Sequence, residues 1–253
     1  MGRAVHSISR DGDLDAFESF ARWFIDFNER NDFPWMLAGA SWLGLTIFWR
    51  GDWEAARAHV AQSVDFQRQM RYPHTAWSVW SNAVMVAAYT GDGDVAAPLD
   101  ERAPELPRPG QRNSSGAWGL AFKTIEAAAL IGQRQRAASL YPLVLEALDT
   151  STVADFQSMD LLEKAAGTAA GAAGEWDVAE EHFCTALRQA EELPHLIAQP
   201  EVRRWYARML IDRDGSGDRD HARTLLGEAM TRYDERGMPK HVQMAVDLRA
   251  AIT

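Results

Sequence analysis

The sequence predicts an all-α protein built from stacked antiparallel helix pairs, and three observations lead there. A glycine recurs at Gly51, Gly91, Gly132, Gly174 and Gly217, with spacings of 40, 41, 42 and 43 residues. Each of these glycines is followed five residues later by an alanine: Ala56, Ala96, Ala137, Ala179 and Ala222. Apolar residues beyond the glycines follow a helical period, and alternation with period two is sustained nowhere. A weaker copy, Gly12-Asp13-Leu14-Asp15-Ala16, lies 39 residues before Gly51.

The repeated unit has a physical reading. A helix ends, and glycine takes the left-handed backbone that other residues adopt only at a cost. An acid then opens the next helix, as in Gly51-Asp52-Trp53-Glu54 and Gly174-Glu175-Trp176-Asp177. Free N–H groups and the positive end of the helix dipole favour it there. The alanine one turn in is small enough for two helices to approach closely. The second helices carry apolar stripes, such as Trp176, Ala179, Phe183, Ala186, Leu187 and Ala190. The first helices are apolar too, as in Trp77, Trp80, Val84, Met85 and Ala88. One such hairpin cannot bury both faces, so it must stack on neighbours. The implied units are residues 13–30, 35–70, 75–103, 115–148, 158–193 and 199–236, with a terminal helix over 239–252, all in a single domain 1–253. Prolines and glycines between 101 and 116 mark an irregular connection, and 149–155 and 212–220 read as loops. No sheet is expected. The run Ala165 to Gly174 contains only alanine, glycine and one threonine, which suits close helix packing.

At this point the residues resemble a tetratricopeptide repeat. The fourth unit gives Ala179, Phe183, Ala186 and, slightly late, Pro194; the first gives Leu43-Gly44 and Ala56. Trp80 and Ala96 belong to the second unit, Ala137 and Tyr141 to the third, and Ala222, Leu226 and Ala229 to the fifth. Pro98 departs from the pattern by falling at a helix start, and the 40–43-residue unit exceeds the family's 34. Long degenerate repeats of this type are similar to the C-terminal regions of large bacterial signalling proteins, where they follow a cyclase or DNA-binding module and a regulatory ATPase. The stretch from Gly174 to Pro239 looks most like them. The resemblance implies a right-handed superhelix and a non-catalytic protein- or peptide-binding scaffold, the regulatory or sensor region of a signalling protein. A small-molecule effector site inside the superhelix is the alternative, and an all-α enzyme is the third reading.

By that resemblance, the first-helix side chains facing the concave groove are Ser41 and Phe48, Ser81 and Met85, Phe122 and Glu126, and Lys164 and Thr168. Trp77 stands at the groove edge. Phe122→Ala and Lys164→Ala are expected to weaken binding while helical content survives. The competing expectation is that loops close the groove and these residues are core.

Composition and motifs narrow the chemistry. The formal charge is −10 with basic residues scattered, which argues against nucleic acid. Lysine occurs only at 123, 164 and 240. The uncharged stretches Phe33–Trp49 and Tyr72–Gly91 approach a membrane span in length. Their prolines, hydroxyls and amide suit helices buried in a protein stack instead. A single cysteine, Cys184, excludes an internal disulfide and fits a small buried side chain in a reducing, cytoplasmic setting. The run Asp212-Arg213-Asp214-Gly215-Ser216-Gly217 begins like a calcium loop, but Arg223 stands where the bidentate Glu belongs. An acidic turn that caps a helix at Asp218 or Asp220 explains it. The seven histidines form no metal spacing, so His182 reads as solvated or packed, and no metal or cofactor is expected. Trp53 and Trp176 occupy matching positions and should be core. Homo-oligomerisation is compatible with such a stack.

Overall fold

The protein is seen in a computed structural model that describes residues 11–31, 36–69, 76–91, 96–155, 160–193 and 195–252, with backbone alone at 36–38, 76–78 and 115. The described residues are predominantly helical: α1 (Leu14–Arg30), α2 (Met36–Trp49), α3 (Trp53–Gln69), α4 (Ala76–Thr90), α5 (Ala96–Arg102), α6 (Ser115–Leu130), α7 (Arg134–Ser139), α8 (Tyr141–Asp149), α9 (Leu162–Ala173), α10 (Trp176–Glu192), α11 (Ala198–Arg213), α12 (Asp218–Glu235) and α13 (Pro239–Ala250). No described helix is long and apolar enough to cross a membrane.

Sequence chemistry accounts for the helix ends. Asp13 caps α1, its carboxylate accepting from the N–H groups of Asp15 (3.0 Å) and Ala16 (3.1 Å). Gly174 ends α9 in the left-handed region at φ 85°, and Gly51 closes α2 at φ 84°. Pro98 falls in the first turn of α5, where its missing N–H leaves no bond unmade. Pro142 sits at the start of α8 and breaks what would be one helix into α7 and α8.

α2 packs on α4, α4 on α6, α6 on α9, and α9 on α11. Each of α3, α7, α10 and α12 lies between two helices of that row or its extension to α13. Close approach in the middle depends on missing side chains. A Cβ on Gly167 would lie 2.9 Å from the Phe183 ring, and one on Gly171 would lie 3.2 Å from Met209. The small-residue run therefore serves packing, as its composition suggested.

Two details depart from expectation. The connection before α9 is not wholly irregular: β1 (Ala154–Asp155) pairs antiparallel with β2 (Asp160–Leu161). This short ladder satisfies backbone groups at the buried entrance to α9, where Asp155, Asp160 and Leu161 lie away from solvent. Trp53 and Trp176 pack against the core but remain part-exposed. By contrast the stretch between the end of α5 at Arg102 and the start of α6 at Ser115 holds only a 3-10 turn, Ala103–Glu105.

Gly51 and Gly174 share a backbone conformation but not an environment. A Cβ at Gly51 would meet Pro239 of α13 at 3.0 Å, whereas at Gly174 nothing lies within 4 Å. Gly174→Ala is expected to lose about 1 kcal/mol from backbone strain alone. Gly51→Ala should lose more, because α13 must also move. Urea unfolding of the two variants checks this; equal losses would mean that α13 is not seated on the α2–α3 turn.

Candidate functional site

The interior contains a sealed network of ionised side chains. Lys164, on α9, places its Nζ 2.9 Å from Asp160 and 3.1 Å from Glu126 of α6, with Glu201 of α11 at 3.8 Å. Lys123, one turn before Glu126, approaches Glu126 at 3.3 Å and Asp160 at 3.8 Å. Arg204 grips Glu201 through Nη2 at 2.8 Å and donates to the Tyr89 hydroxyl of α4 at 2.7 Å. Tyr89 donates to Glu126, and Tyr233 of α12 donates to Glu201. Three cations, Lys123, Lys164 and Arg204, thus face three carboxylates, Glu126, Asp160 and Glu201. All six are buried.

The electrostatics follow from that balance. Burial opposes ionisation of Glu126 and Glu201, but the neighbouring cations outweigh it. Lys123 and Lys164 hold Glu126 well below the usual carboxylate range, while Arg204 and Lys164 hold Glu201 at about 2. Burial pushes Asp160 up. Burial disfavours the Lys164 cation, yet Asp160, Glu126 and Glu201 raise it above the ordinary lysine value. Burial also raises both Tyr89 and Tyr233, which stay as neutral donors.

His241 of α13 closes one side of this network. Its ring lies 4.9 Å from Trp49, 5.4 Å from Phe48 and 5.5 Å from Tyr233, centroid to centroid. Neither ring nitrogen has a hydrogen-bond partner among the described residues. Burial holds the imidazole down to about 4, with Glu201 pulling the other way.

A cavity of about 200 Å³ opens beside the network, between α6, α9 and α11. Trp176, Trp205 and Phe183 supply its aromatic walls, and Thr168, Arg134 and Arg208 its polar ones. Arg134 donates to the Gly171 carbonyl (2.8 Å) and pairs with Asp212 (3.1 Å). Arg208 donates to the Ala129 carbonyl at 3.0 Å. Two further cavities are somewhat larger, about 320 Å³ by Trp80 and Arg68 and about 240 Å³ by Trp118, Phe122 and Asp155, and neither brings two tryptophans and two guanidinium groups together.

No protein-family model matches the chain, and no curated protein matches its sequence. The site therefore rests on its own geometry.

The residues proposed for a concave groove lie inside the protein. Ser41, Phe48, Ser81, Met85, Phe122, Glu126, Lys164 and Thr168 are all buried, and the side chain of Trp77 lies outside the described residues. Asn82 donates to the Ser41 hydroxyl at 2.7 Å and its carbonyl at 3.0 Å, tying α4 to α2. Phe48 stacks on Trp53 at 5.9 Å. Only Thr168 reaches the cavity beside α11, and Phe122 a different one. Glu126 and Lys164 meet as partners in the network.

Other candidates resolve into structural contacts. Asp218 does not cap α12; Gly217 holds the cap position, and the Asp218 carboxylate accepts from Arg213 and from the Gly215 N–H at 2.8 Å. Arg213 also reaches Glu180 at 2.7 Å, so the acidic turn is neutralised by a guanidinium. No group of metal-ligating side chains occurs among the described residues. Cys184 is exposed rather than buried, because α10 turns Phe183 inward and leaves its neighbour outside. His182 is neither merely solvated nor merely packed: it bridges Glu163 (2.5 Å) and the Tyr141 hydroxyl (2.8 Å), joining α10 to α9 and α8.

Two outcomes test the network. Lys164→Ala removes the cation shared by Glu126 and Asp160, so the variant should lose ~3–5 kcal/mol in urea unfolding. Contrary to the expectation for a groove residue, Lys164 is buried, so its removal should not spare the fold. The second concerns acid. Glu126 and Glu201, with lowered values, stabilise fully above about pH 4.5 and lose that contribution only as pH falls further. His241 acts earlier. From pH 6.5 down to about 4 the unfolded chain takes a proton there that the folded protein refuses. Stability should fall through that window by up to ~1.4 kcal/mol per pH unit from this residue. His241→Phe should flatten the slope between pH 6.5 and 4.5; an unchanged slope would show that His241 is not held neutral.

Proposed function

We propose that the protein is a non-catalytic binding module whose ligand is a small molecule held in the cavity between α6, α9 and α11. The observation that carries this reading is that cavity, whose walls bring two tryptophans and two guanidinium groups together. A peptide laid along the first helices would need the positions of Phe48, Met85, Glu126 and Lys164, and these are occupied by packing and ion pairing. The ionisable cluster does not favour catalysis either. Its carboxylates, lysines and tyrosines are satisfied by one another and buried, so no substrate atom has a place beside them. A regulatory role, in which an effector alters how a helical-repeat superhelix meets other modules, accords with the resemblance to repeat regions of bacterial signalling proteins.

A protein partner is the second reading, and a specific feature favours it. On α1, Trp23 is 41% exposed and stacks on Phe27 at 5.4 Å, which makes an aromatic surface away from the cavity. That surface, rather than the first-helix row, is where such a partner would dock.

The test is a thermal-shift screen with single-ring and similar small metabolites. Compounds that raise the melting temperature should lose their effect in Ala172→Trp, which fills the cavity from its part-exposed wall. Hits that stabilise parent and variant alike would place the ligand elsewhere. A screen without hits, together with partner capture lost in Trp23→Ala, would replace this reading by the second.

A further inference from the structure

The cavity has a charge imbalance that narrows what it can hold. Its lining contains two guanidinium groups, Arg134 and Arg208, and one carboxylate, Asp212. Asp212 pairs with Arg134 at 3.1 Å. Arg208 has no carboxylate within ion-pair distance among the described residues, and the Ala129 carbonyl is its one hydrogen-bond partner there. The lining therefore carries one net positive charge, in a chain whose formal charge is −10. The network beside it is balanced and offers nothing to neutralise that charge. Burial lowers the Arg208 value, Asp212 working against the shift, and a guanidinium remains ionised despite such a shift.

The remaining walls describe the rest of the ligand. The Trp205 ring lies 5.3 Å from the Arg208 guanidinium, and the Trp176 ring lies 5.5 Å from that of Arg134. Trp205 is 3% exposed and its indole N–H has no acceptor among the described residues. An indole N–H usually finds a partner when buried. A cavity of about 200 Å³ is smaller than the ~300–1,000 Å³ that holds drug-sized ligands, so one ring with a short substituent is the size that fits.

We infer that the cavity takes a small planar organic anion of the aromatic monocarboxylate class, with its carboxylate on Arg208 and its ring against Trp176 and Trp205. A carboxylate suits the free side of a planar guanidinium whose other edge is held by a backbone carbonyl. A monoanion balances the one net positive charge of the lining. The inference rests on the binding reading above and adds the ligand's chemistry to it.

The experiment uses the full chain and titrates benzoate, its uncharged analogue benzamide, acetate and inorganic phosphate by calorimetry. Benzoate should bind at one site; benzamide, which lacks the charge for Arg208, and acetate, which lacks the ring for Trp176 and Trp205, should each bind roughly tenfold or more weakly. Arg208→Gln should weaken benzoate by a similar factor and leave benzamide unchanged; Arg208→Lys should recover part of the loss. The benzoate–benzamide comparison needs no variant, so it stands even if a substitution fails to fold. Equal binding of benzoate and benzamide would overturn the anion assignment. Phosphate binding as well as benzoate would overturn the ring assignment. No benzoate binding, with screen hits that still vanish in Ala172→Trp, would overturn the ligand class and leave the cavity reading standing. No binding by any compound in either assay would end both.

Discussion

The charge network centred on Lys164, Glu126 and Glu201 sets the terms for the rest of the interior. Ions removed from water lose several kcal/mol of hydration each, and only short, balanced contacts recover it. Here the contacts come from different helices: Tyr89 from α4, Lys123 and Glu126 from α6, Lys164 from α9, Glu201 and Arg204 from α11, and Tyr233 from α12. None of these helices can shift without stranding a charge belonging to another. The network holds the helices in one register in a way that apolar contacts, which tolerate sliding, do not.

Such contacts need the helices close together, and α9 provides for that. Its alanines and glycines let Phe183 and Met209 press almost onto its backbone. With α9 so thin, a lysine on it can span from Asp160 at the helix entrance to Glu126 on α6. The short β ladder before α9 belongs to the same arrangement, since β2 begins at Asp160 and delivers that carboxylate to Lys164 and Lys123.

The helices and their ends were legible in the sequence because each signal is local. Glycine at a left-handed turn, an acid at a helix start and a proline within a first turn act over four or five residues. The buried network was half legible. The repeat pattern marks Glu126 and Lys164 as neighbours on adjoining helices but says nothing of their burial, and Tyr89, Glu201, Arg204 and His241 match no part of that pattern. One signal could have found them: Tyr89, Glu126, Lys164 and Glu201 follow one another at 37, 38 and 37 residues, the step from one first helix to the next. Another lay in composition, for two of the chain's three lysines, Lys123 and Lys164, are in the network. Whether such a row faces water or faces its own partners depends on how the helices close over it. That depends on packing between distant helices, such as His241 of α13 against Phe48 of α2, which no local pattern encodes.

The network and the cavity are consecutive stretches of the same helix faces. On α11, Glu201, Arg204, Arg208 and Asp212 follow at steps of three and four residues, which places them on one stripe. The first two belong to the network and the last two to the cavity. On α9 the same holds for Lys164, in the network, followed by Thr168 and Gly171 at the cavity. Trp205 stands where the two meet, its ring 5.7 Å from the Lys164 amine, 5.2 Å from Arg204 and 5.3 Å from Arg208. Ion pairs that lock α9 against α11 therefore also fix the separation of the cavity walls. A ligand of the proposed kind would meet side chains held in place by those contacts and would lose little ordering entropy on binding. Apart from Arg204, which serves the network, the residue types divide accordingly. Lysine, a compact charge, sits where several carboxylates converge on one point. Arginine lines the cavity, where its planar group bonds a carbonyl near the C-terminal end of α6 or α9 and still has donors left. The sealed network is thus what makes the neighbouring cavity a defined site.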